Sequence, residues 1–275
     1  MSTECGCKRI GVRRDPEKRI GVERSVKEIG LSFGKTIVKD VPKVKVVAFG
    51  FNNSCLDENG RWQESGIDTS LVNDFYIKFS ATKLTWLEKI EVTSAANKVL
   101  AMFNNASSLE WADVSDYDLS NISGTNGERM FSGASKINNI DVSRWNVSKM
   151  TSFWSFFGYC NKLTKLDLTN WDMRAATRLD GMFHSCKALV SLIGGKTIDE
   201  VLNNNISCLN GLKVFSSDTF ANVTNLDRAS LRALINGLAD LTGETPVTLK
   251  LGATLMAKLT EEDIAIATNK NWTIA

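Results

Sequence analysis

The chain of 275 residues is long enough for one large domain or two ordinary ones, and its 43% apolar and 23% charged residues are typical of globular proteins. This composition excludes a wholly disordered or collagen-like chain, and no apolar run reaches the roughly 18 residues of a transmembrane helix. A single histidine, His184, excludes most imidazole-based catalysis and most histidine-rich metal sites. We therefore expect a binding or structural protein with no enzymatic activity and no cofactor.

Charge is unevenly distributed along the chain. Residues 1–45 contain 12 Lys/Arg and 6 Asp/Glu, a net charge of +6, whereas residues 46–275 carry a net charge of −4. A basic N-terminal arm ahead of a mildly acidic body indicates that the arm meets an acidic surface. A solvated, flexible tail would have the same composition, so this alternative stays open.

The arm contains Arg9-Ile-Gly-Val12, which recurs ten positions later as Arg19-Ile-Gly-Val22. Short aliphatic patches in a basic extended segment are suited to strand addition on a partner, or to pairing with each other as a hairpin. The residues predicted to dock on a partner are Arg9, Ile10, Val12, Arg13, Arg14, Arg19, Ile20 and Val22.

Residues 46–83 are expected to form a small β-rich cap. Residues 44–49 and 75–79 are rich in β-branched and aromatic side chains, which favour strands. Between them, Asp57-Glu-Asn-Gly60 is typical of a tight turn.

An internal repeat follows, and each of its units is marked by a phenylalanine. Phe103, Phe131, Phe157 and Phe183 lie at nearly equal intervals along the chain. Each is followed three positions later by a small side chain and six positions later by an aliphatic one. The small residues are Ala106, Ala134, Cys160 and Cys186, and the aliphatic residues are Leu109, Ile137, Leu163 and Leu189. The first three units continue in step to an aromatic residue, namely Tyr117, Trp145 and Trp171.

The spacing within a unit predicts its structure. The two-residue step from Leu166 to Leu168 places both side chains on one face of a short strand. The preceding Met-Phe-x-x-Cys stretch has helical spacing and predicts a short helix or turn. Because no single unit can bury its apolar edge alone, we expect the units to stack into a solenoid. Parallel strands and ladders of Phe, Cys/Ala and Trp would then run through its core.

Looser copies flank these four units. Leu87-x-x-Ile90-x-Val92 repeats the strand signature one unit before Leu109, and residues 220–226 continue the pattern downstream. The longer gap between Phe183 and Phe220 predicts an insertion that bulges from one edge of the solenoid.

Residues 227–275 are expected to cover the end of the stack, because solenoid ends expose their core. The predicted elements are a helix starting at Asp227 or Ser230 and ended by Gly243, a strand at 246–251, a helix over about 255–268, and a strand at 272–274. Thr260-Glu-Glu-Asp263 could instead begin a separate short helix.

The six cysteines are not expected to form a disulfide framework, because no export signal is visible at the start of the sequence. Cys160 and Cys186 occupy the same position of successive repeats, which predicts small, buried apolar residues. Cys5-Gly-Cys7 has spacing compatible with a soft metal or redox chemistry but lacks two further ligands nearby.

The repeats resemble the BspA-type leucine-rich repeat of bacterial surface proteins and their phages. The resemblance rests on Met182-Phe-x-x-Cys186-x-x-Leu189 and on Leu163-x-x-Leu166-Asp-Leu-x-x-Trp171-Asp, and it covers roughly residues 84–226. It implies an α/β repeat fold, a leucine-rich-repeat-like solenoid with short parallel strands, a small β-rich N-terminal cap and an α/β C-terminal cap. The expected domains are a basic anchoring arm at 1–45, the β-rich cap at 46–83, the solenoid at 84–226 and the C-terminal cap at 227–275.

The resemblance also implies adhesion and protein interaction, with no catalytic residues. Because the sequence shows a basic arm and neither export signal nor anchor, we expect a bacteriophage virion protein associated with the tail or a fibre. Its arm would dock on other virion proteins in a multi-subunit assembly, and its solenoid would project towards a host-surface protein or glycan, without membrane insertion. The alternative is a BspA-type adhesin or interaction module on the bacterial cell surface.

Two other classes of function are disfavoured. The sequence contains no Gly-rich phosphate loop or nucleophile elbow, and Asp116-x-Asp118 supplies too few ligands for calcium. Nucleic-acid binding is not expected, because acidic residues interrupt the arm and aromatic residues are not interleaved with its arginines.

Overall fold

The computed structural model describes residues 44–45, 51, 53–62, 67–80, 82–88 and 90–275. Its strands are β1 Val44–Lys45, β2 Arg61–Trp62, β3 Ile67–Asp68, β4 Trp86–Leu87, β5 Trp111–Ala112, β6 Val247–Leu249 and β7 Trp272–Ile274. Its α-helices are α1 Ile198–Asn204, α2 Arg228–Gly237, α3 Ala253–Met256 and α4 Glu261–Asn269, and a short 3-10 helix covers Asn53–Cys55. Of the predicted strand at 44–49, only residues 44–45 lie within the described residues, and they form β1.

All strand pairs between successive units are parallel. β4 lies between β2 and β5, and β1 pairs with β3. Farther along, single parallel bridges join Asn139 to Lys165 and Lys165 to Ser191, with the same spacing at each step. Leu87 pairs with Ala112, so the predicted alignment of Leu87 with Leu109 was wrong by three positions. Buried Leu84 occupies the position equivalent to Leu109.

The residues around each repeat phenylalanine form a run of turns, which we call the turn strip, and not a short helix. In the strip of Phe103, the N–H groups of Ala101, Phe103 and Asn105 donate to carbonyls of the next repeat. The intervening N–H groups close turns within the strip, for example from Ala106 to the Phe103 carbonyl. A helix would use every N–H internally, so bonding between repeats selects the turn. The left-handed backbone of Ala101 (φ 54°) and Asn105 (φ 57°) is part of this geometry.

The phenylalanine rings stack from one strip to the next, as the repeat predicted. The centroid distances are 5.3 Å for Phe79–Phe103, 4.9 Å for Phe103–Phe131, 5.8 Å for Phe131–Phe157, 5.8 Å for Phe157–Phe183 and 5.2 Å for Phe183–Phe220. The ladder continues upstream, where Phe51 meets Phe79 edge-on at 4.6 Å. Offset aromatic pairs of this kind add to the stability gained from burial alone.

The predicted strand at 75–79 was therefore wrong, because these residues form the turn strip of Phe79. Ile77 has a left-handed backbone (φ 49°), like its equivalents in later repeats. Phe75 and Phe79 are buried while Tyr76 and Ile77 are exposed, so a turn strip mimics the in-and-out pattern of a strand. By contrast, the predicted turn at Asp57–Gly60 is confirmed, with the Gly60 N–H donating to the Asp57 carbonyl.

A second ladder contains the repeat tryptophans. Trp145 and Trp171 are buried with ring centroids 6.3 Å apart. The indole N–H of Trp145 donates to the Val114 carbonyl at 2.9 Å, and that of Trp171 to the Val142 carbonyl at 3.1 Å. Each tryptophan thus fills a core position and also bonds to the preceding repeat.

The repeated Asp-x-Ser/Thr pattern makes a local turn in each unit. One carboxylate oxygen accepts from the N–H and the hydroxyl two positions later. The pairs are Asp113 with Ser115, Asp141 with Ser143 and Asp167 with Thr169. These aspartates have a structural role, because their carboxylate oxygens accept hydrogen bonds from backbone N–H groups in the turn after the strand position.

The cysteines Cys160, Cys186 and Cys208 are buried and free, which confirms the prediction for the first two. The thiols of Cys160 and Cys186 contact the carbonyls of Phe131 and Phe157 at 3.2 and 3.1 Å. Burial raises the pKa of Cys186 to about 12 and that of Cys160 well above its usual value. Cys55 differs, because it forms a disulfide, contrary to expectation, and its partner is none of these three free cysteines.

The insertion between Phe183 and Phe220 contains helix α1. Thr197 and Glu200 form a reciprocal capping box at its start, and Asn205 ends it with a left-handed backbone. Buried Val201 anchors the helix, which packs against α2. The chain then returns to the stack, where Asn210 bridges to Asp172.

The C-terminal segment partly follows its prediction. Asp227 caps α2 by accepting from the Ser230 N–H at 2.7 Å, but α2 ends at Gly237 and not at Gly243. A side chain at position 237 would clash with the Cys208 carbonyl, so a glycine is required where α2 meets the insertion. The predicted long helix is two helices, α3 and α4, and the alternative start at Thr260 is confirmed. β6 and β7 pair in parallel.

A buried carboxylate joins α2 to α4. Asp263 is fully buried and accepts from Arg228 Nε and Arg232 Nη1, each at 2.8 Å. It also accepts from the N–H of Thr260 at 3.0 Å. Burial opposes ionisation of this carboxyl, but the hydrogen bonds, first from Arg228, outweigh it and lower the pKa of Asp263 well below its ordinary value.

Candidate interaction surface

The eight residues predicted to dock on a partner, from Arg9 to Val22, lie outside the described residues. Their role stays a prediction. The surface described below was not predicted from the sequence.

The turn strips of three consecutive repeats place large side chains side by side. Trp154 lies three positions before Phe157, and Arg129 lies two positions before Phe131. Tyr159 follows Phe157 by two positions and is 49% exposed. Other repeats carry small or short polar residues at several of these positions. We call Arg129, Trp154, Tyr159, Arg178 and His184 the Trp154 surface.

The indole of Trp154 lies between two guanidinium groups. The Cζ atoms of Arg129 and Arg178 are 3.7 and 4.5 Å from the centroids of its rings. Cation–π contacts of this kind stabilise the arrangement of the three side chains by roughly 0.5–1 kcal/mol each. The result is a cluster of large side chains on the turn strips of these three repeats.

Acidic groups hold one of these arginines. Arg178 Nε bonds Asp180 Oδ2 at 2.8 Å, and Arg178 Nη1 lies 3.8 Å from Glu128 Oε1. Glu128 also accepts from the hydroxyl of Ser152. The hydrogen bond from Arg178 lowers the pKa of Asp180. Arg129 forms no ion pair with a carboxylate in the described part of the chain, so its charge is available to a ligand.

His184 borders this surface. Its ring lies 4.9 Å from that of Tyr159, and the residue is half-buried. Its Nδ1 atom is buried with no hydrogen-bond partner among the described residues. The histidine therefore supports Tyr159 by packing, and its geometry shows no catalytic pairing.

A second aromatic pair lies on the strand side. Trp86 and Trp111 stack with ring centroids 4.2 Å apart, and Arg61 lies 5.4 Å above Trp86. Because the two rings cover each other, this pair offers a ligand mainly ring edges.

Metal-ligating side chains are not clustered in the part of the chain that the structure describes. Within those residues, no group of three or more His, Cys, Asp or Glu side chains could hold a metal ion. Asp116 pairs with Arg144 at 2.6 Å, and Asp118 accepts from the Ser120 N–H at 2.9 Å, so neither carboxylate belongs to a calcium loop. Across the same described residues, no helix has both the length and the apolar character needed to cross a bilayer.

Comparison with known proteins places the chain in a family. No curated protein and no solved structure matches it. One family model matches residues 66–224, more than half of the chain and including the Phe79 strip upstream of the predicted solenoid. This family is of the BspA-like repeat type that the motifs resemble. The chain belongs to the family described as "Mycoplasma protein of unknown function, DUF285".

Proposed function

We propose that the protein is a non-enzymatic interaction protein whose leucine-rich-repeat-like solenoid presents the Trp154 surface to a partner. The observation that carries this proposal is the Arg129–Trp154–Arg178 stack, fixed on turn strips that bond to one another repeat by repeat. Exposed Trp, Tyr and Arg side chains contribute most of the binding energy in many protein interfaces. A rigid scaffold reduces the entropy that such side chains lose on binding.

The domain organisation belongs to the same proposal. The N-terminal arm at 1–45 anchors the protein, and the repeats form the projecting part. Because Phe51 and Phe79 extend the ring ladder, we place further repeat units inside the proposed cap at 46–83. Residues 227–275, with the buried Asp263, close the other end.

The setting that we propose is a bacteriophage virion, with the protein associated with the tail or a fibre. The basic arm, with a net charge of +6, docks on acidic surfaces of other virion proteins. The Trp154 surface then faces a protein or glycan of the host cell surface. The charge difference between the N-terminal arm and the body supports this proposal.

The second candidate is a BspA-type adhesin or interaction module on a bacterial cell surface. One observation favours it, since the description of the family names Mycoplasma, which are cells and not phages. The Trp154 surface would have the same role in both settings. The two proposals differ in what the arm contacts.

The experiment that separates them compares the full chain with the Arg13→Glu/Arg14→Glu variant as baits in lysate of the source. Lys149→Glu/Lys162→Glu, with the same charge change on the body, is the matched control. Recovery of phage structural proteins by wild type and control, and its loss with the arm variant, supports the virion proposal. Equal recovery of cell-envelope proteins by all three baits supports the adhesin, and no specific recovery overturns the role of the arm.

The binding role of the Trp154 surface has its own test. Trp154→Ala and Arg129→Ala are expected to reduce binding to intact host cells at least about tenfold, as hot-spot residues do. Val190→Ala, at an exposed apolar position outside this surface, serves as control. Unchanged cell binding by both surface variants would overturn this role.

A further inference from the structure

Successive turn strips are joined by a row of backbone hydrogen bonds. In the strips of Phe103, Phe131 and Phe157, the N–H groups two positions before the phenylalanine, at the phenylalanine and two positions after it donate to the next strip. The donors Arg129, Phe131 and Gly133 meet the carbonyls of Trp154, Phe156 and Gly158 at 2.9, 2.9 and 2.8 Å. Each strip therefore has an acceptor edge towards the N-terminal end of the stack and a donor edge towards the C-terminal end.

The last strip, around Phe220, has an unfilled donor edge. Its carbonyls are used, since the Phe183 and Ser185 N–H groups donate to Thr219 and Ala221 at 2.9 and 2.7 Å. The N–H groups of Asp218, Phe220 and Asn222, however, donate to no acceptor among the described residues. Unpaired rows of backbone donors at the edge of a hydrogen-bonded array are sites where another chain adds.

A groove runs along this edge. It has a volume of about 450 Å³ and lies between the Phe220 strip and residues 250–254 of the C-terminal segment. Phe220, Val223 and Leu251 give it an apolar wall, and Lys250 is its one charged lining side chain. A groove of this size holds a few residues of extended chain and not a further repeat.

We propose that residues 20–23 of the N-terminal arm of a second copy occupy this groove. Their backbone carbonyls accept from the free N–H groups, and Ile20 and Val22 pack on the apolar wall. Gly21 allows the left-handed backbone that alternate residues of the turn strips adopt. Glu23 lies opposite Lys250. The other Ile-Gly-Val motif is followed by Arg13, which would repel Lys250, so charge selects residues 20–23.

The direction of the stack indicates a second copy. The arm joins the body at Val44, on the Phe79 side of the ladder, while the groove lies beyond Phe220 at the opposite end. The arm of the same molecule would have to run back along the whole stack, which its length allows, so the concentration dependence measured below separates the two arrangements. Head-to-tail association brings the arm of one copy to the groove of the next and is heterologous, so it builds rings or open chains of copies. This inference rests on the proposed role of the arm as a docking element.

The test is a charge exchange in the purified full chain. Glu23→Lys and Lys250→Glu are each expected to weaken self-association up to about fivefold, and the double variant to restore it. Arg13→Glu is the matched control and should leave association unchanged. Sedimentation velocity over a range of protein concentrations measures the self-association of each variant. A monomer at all concentrations, or single variants that the double variant does not rescue, overturns the proposal.

Hydrogen exchange at residues 216–224 provides a second readout that requires no substitution. The amides of Phe220 and Asn222 should exchange at least about tenfold more slowly in concentrated than in dilute protein. Slow exchange independent of concentration would show that the arm folds back within one molecule and would overturn the second-copy assignment. Both tests use the purified protein alone. A negative result would overturn the association between copies without affecting the proposed docking of the arm on virion proteins.

Discussion

The repeat stack and the C-terminal segment are held together in different ways. In the stack, the same contacts recur from step to step, since the strips of Phe103, Phe131 and Phe157 each donate three backbone hydrogen bonds to the next strip and the phenylalanine rings stack one on the next. In the C-terminal segment, a few polar side chains join unlike elements, above all Asp263 between α2 and α4. Stability in the stack is therefore distributed, whereas in the C-terminal segment it depends on single groups.

Lys270 is a second side chain on which the C-terminal segment depends. Its Nζ donates to the carbonyls of Ile235, Asn236 and Leu238 at 3.2, 2.7 and 3.0 Å, and so caps the end of α2. Burial lowers the pKa of Lys270, and Asp240 opposes this shift. In the stack, by contrast, carbonyls of a turn strip accept hydrogen bonds from backbone N–H groups of the preceding repeat.

The largest effect is expected for Trp171→Ala in the stack. Removing this fully buried indole leaves a cavity and removes its hydrogen bond to the Val142 carbonyl, and should cost about 3–5 kcal/mol of unfolding free energy. Urea denaturation followed by circular dichroism measures it. Trp154→Ala, on the surface of the same stack, is the control and should cost much less. Equal losses for the two variants would contradict the core role of the tryptophan ladder.

In the C-terminal segment, Asp263→Asn is expected to cost about 3 kcal/mol. It leaves the partly buried charge of Arg228 and the nearly buried charge of Arg232 without their carboxylate. Denaturation curves of the variant should show the loss, while Glu262→Gln, at an exposed carboxylate beside Arg232, should change little. An Asp263→Asn variant as stable as the wild type would show that the network does not join α2 to α4.

The same carboxylate predicts a pH dependence. Because the pKa of Asp263 is lower in the folded than in the unfolded state, its stabilisation is complete above the unfolded value of about 3.9. It is lost as pH falls from there through the folded pKa. The difference in unfolding free energy between wild type and Asp263→Asn should therefore be constant near pH 6 and shrink below about pH 4. A difference that is independent of pH down to pH 2 would contradict this.

The smallest effect is expected for the Asp-x-Ser turns of the stack. Asp141→Ala removes two hydrogen bonds to Ser143 in one repeat and should cost about 1 kcal/mol. Because the same turn recurs in neighbouring repeats, Asp113→Ala should cost a similar amount and the double variant about the sum. Thermal unfolding of the three variants checks this. A loss of unfolding free energy as large as that of Asp263→Asn would contradict the conclusion that stability in the stack is distributed over many contacts.

The sequence by itself determined the elements whose signals are local or periodic. The repeat identified the buried Phe, Cys and Trp positions, because each unit must bury the same edge. Asp227 and Thr260 marked helix starts, because a capping side chain bonds to N–H groups only two or three positions away. The predicted turn at Gly60 has the same local origin.

The tertiary structure decided what depends on contacts between repeats. The strips are turns and not helices because their alternate N–H groups bond to the next repeat, and residues 75–79 mimic a strand for the same reason. The end of α2 depends on the Cys208 carbonyl against Gly237, far away in sequence. The Trp154 surface likewise arises only where stacking brings successive repeats together, and the groove at Phe220 only where the C-terminal segment lies beside the last strip. No single repeat carries either feature, so only the folded stack could show them.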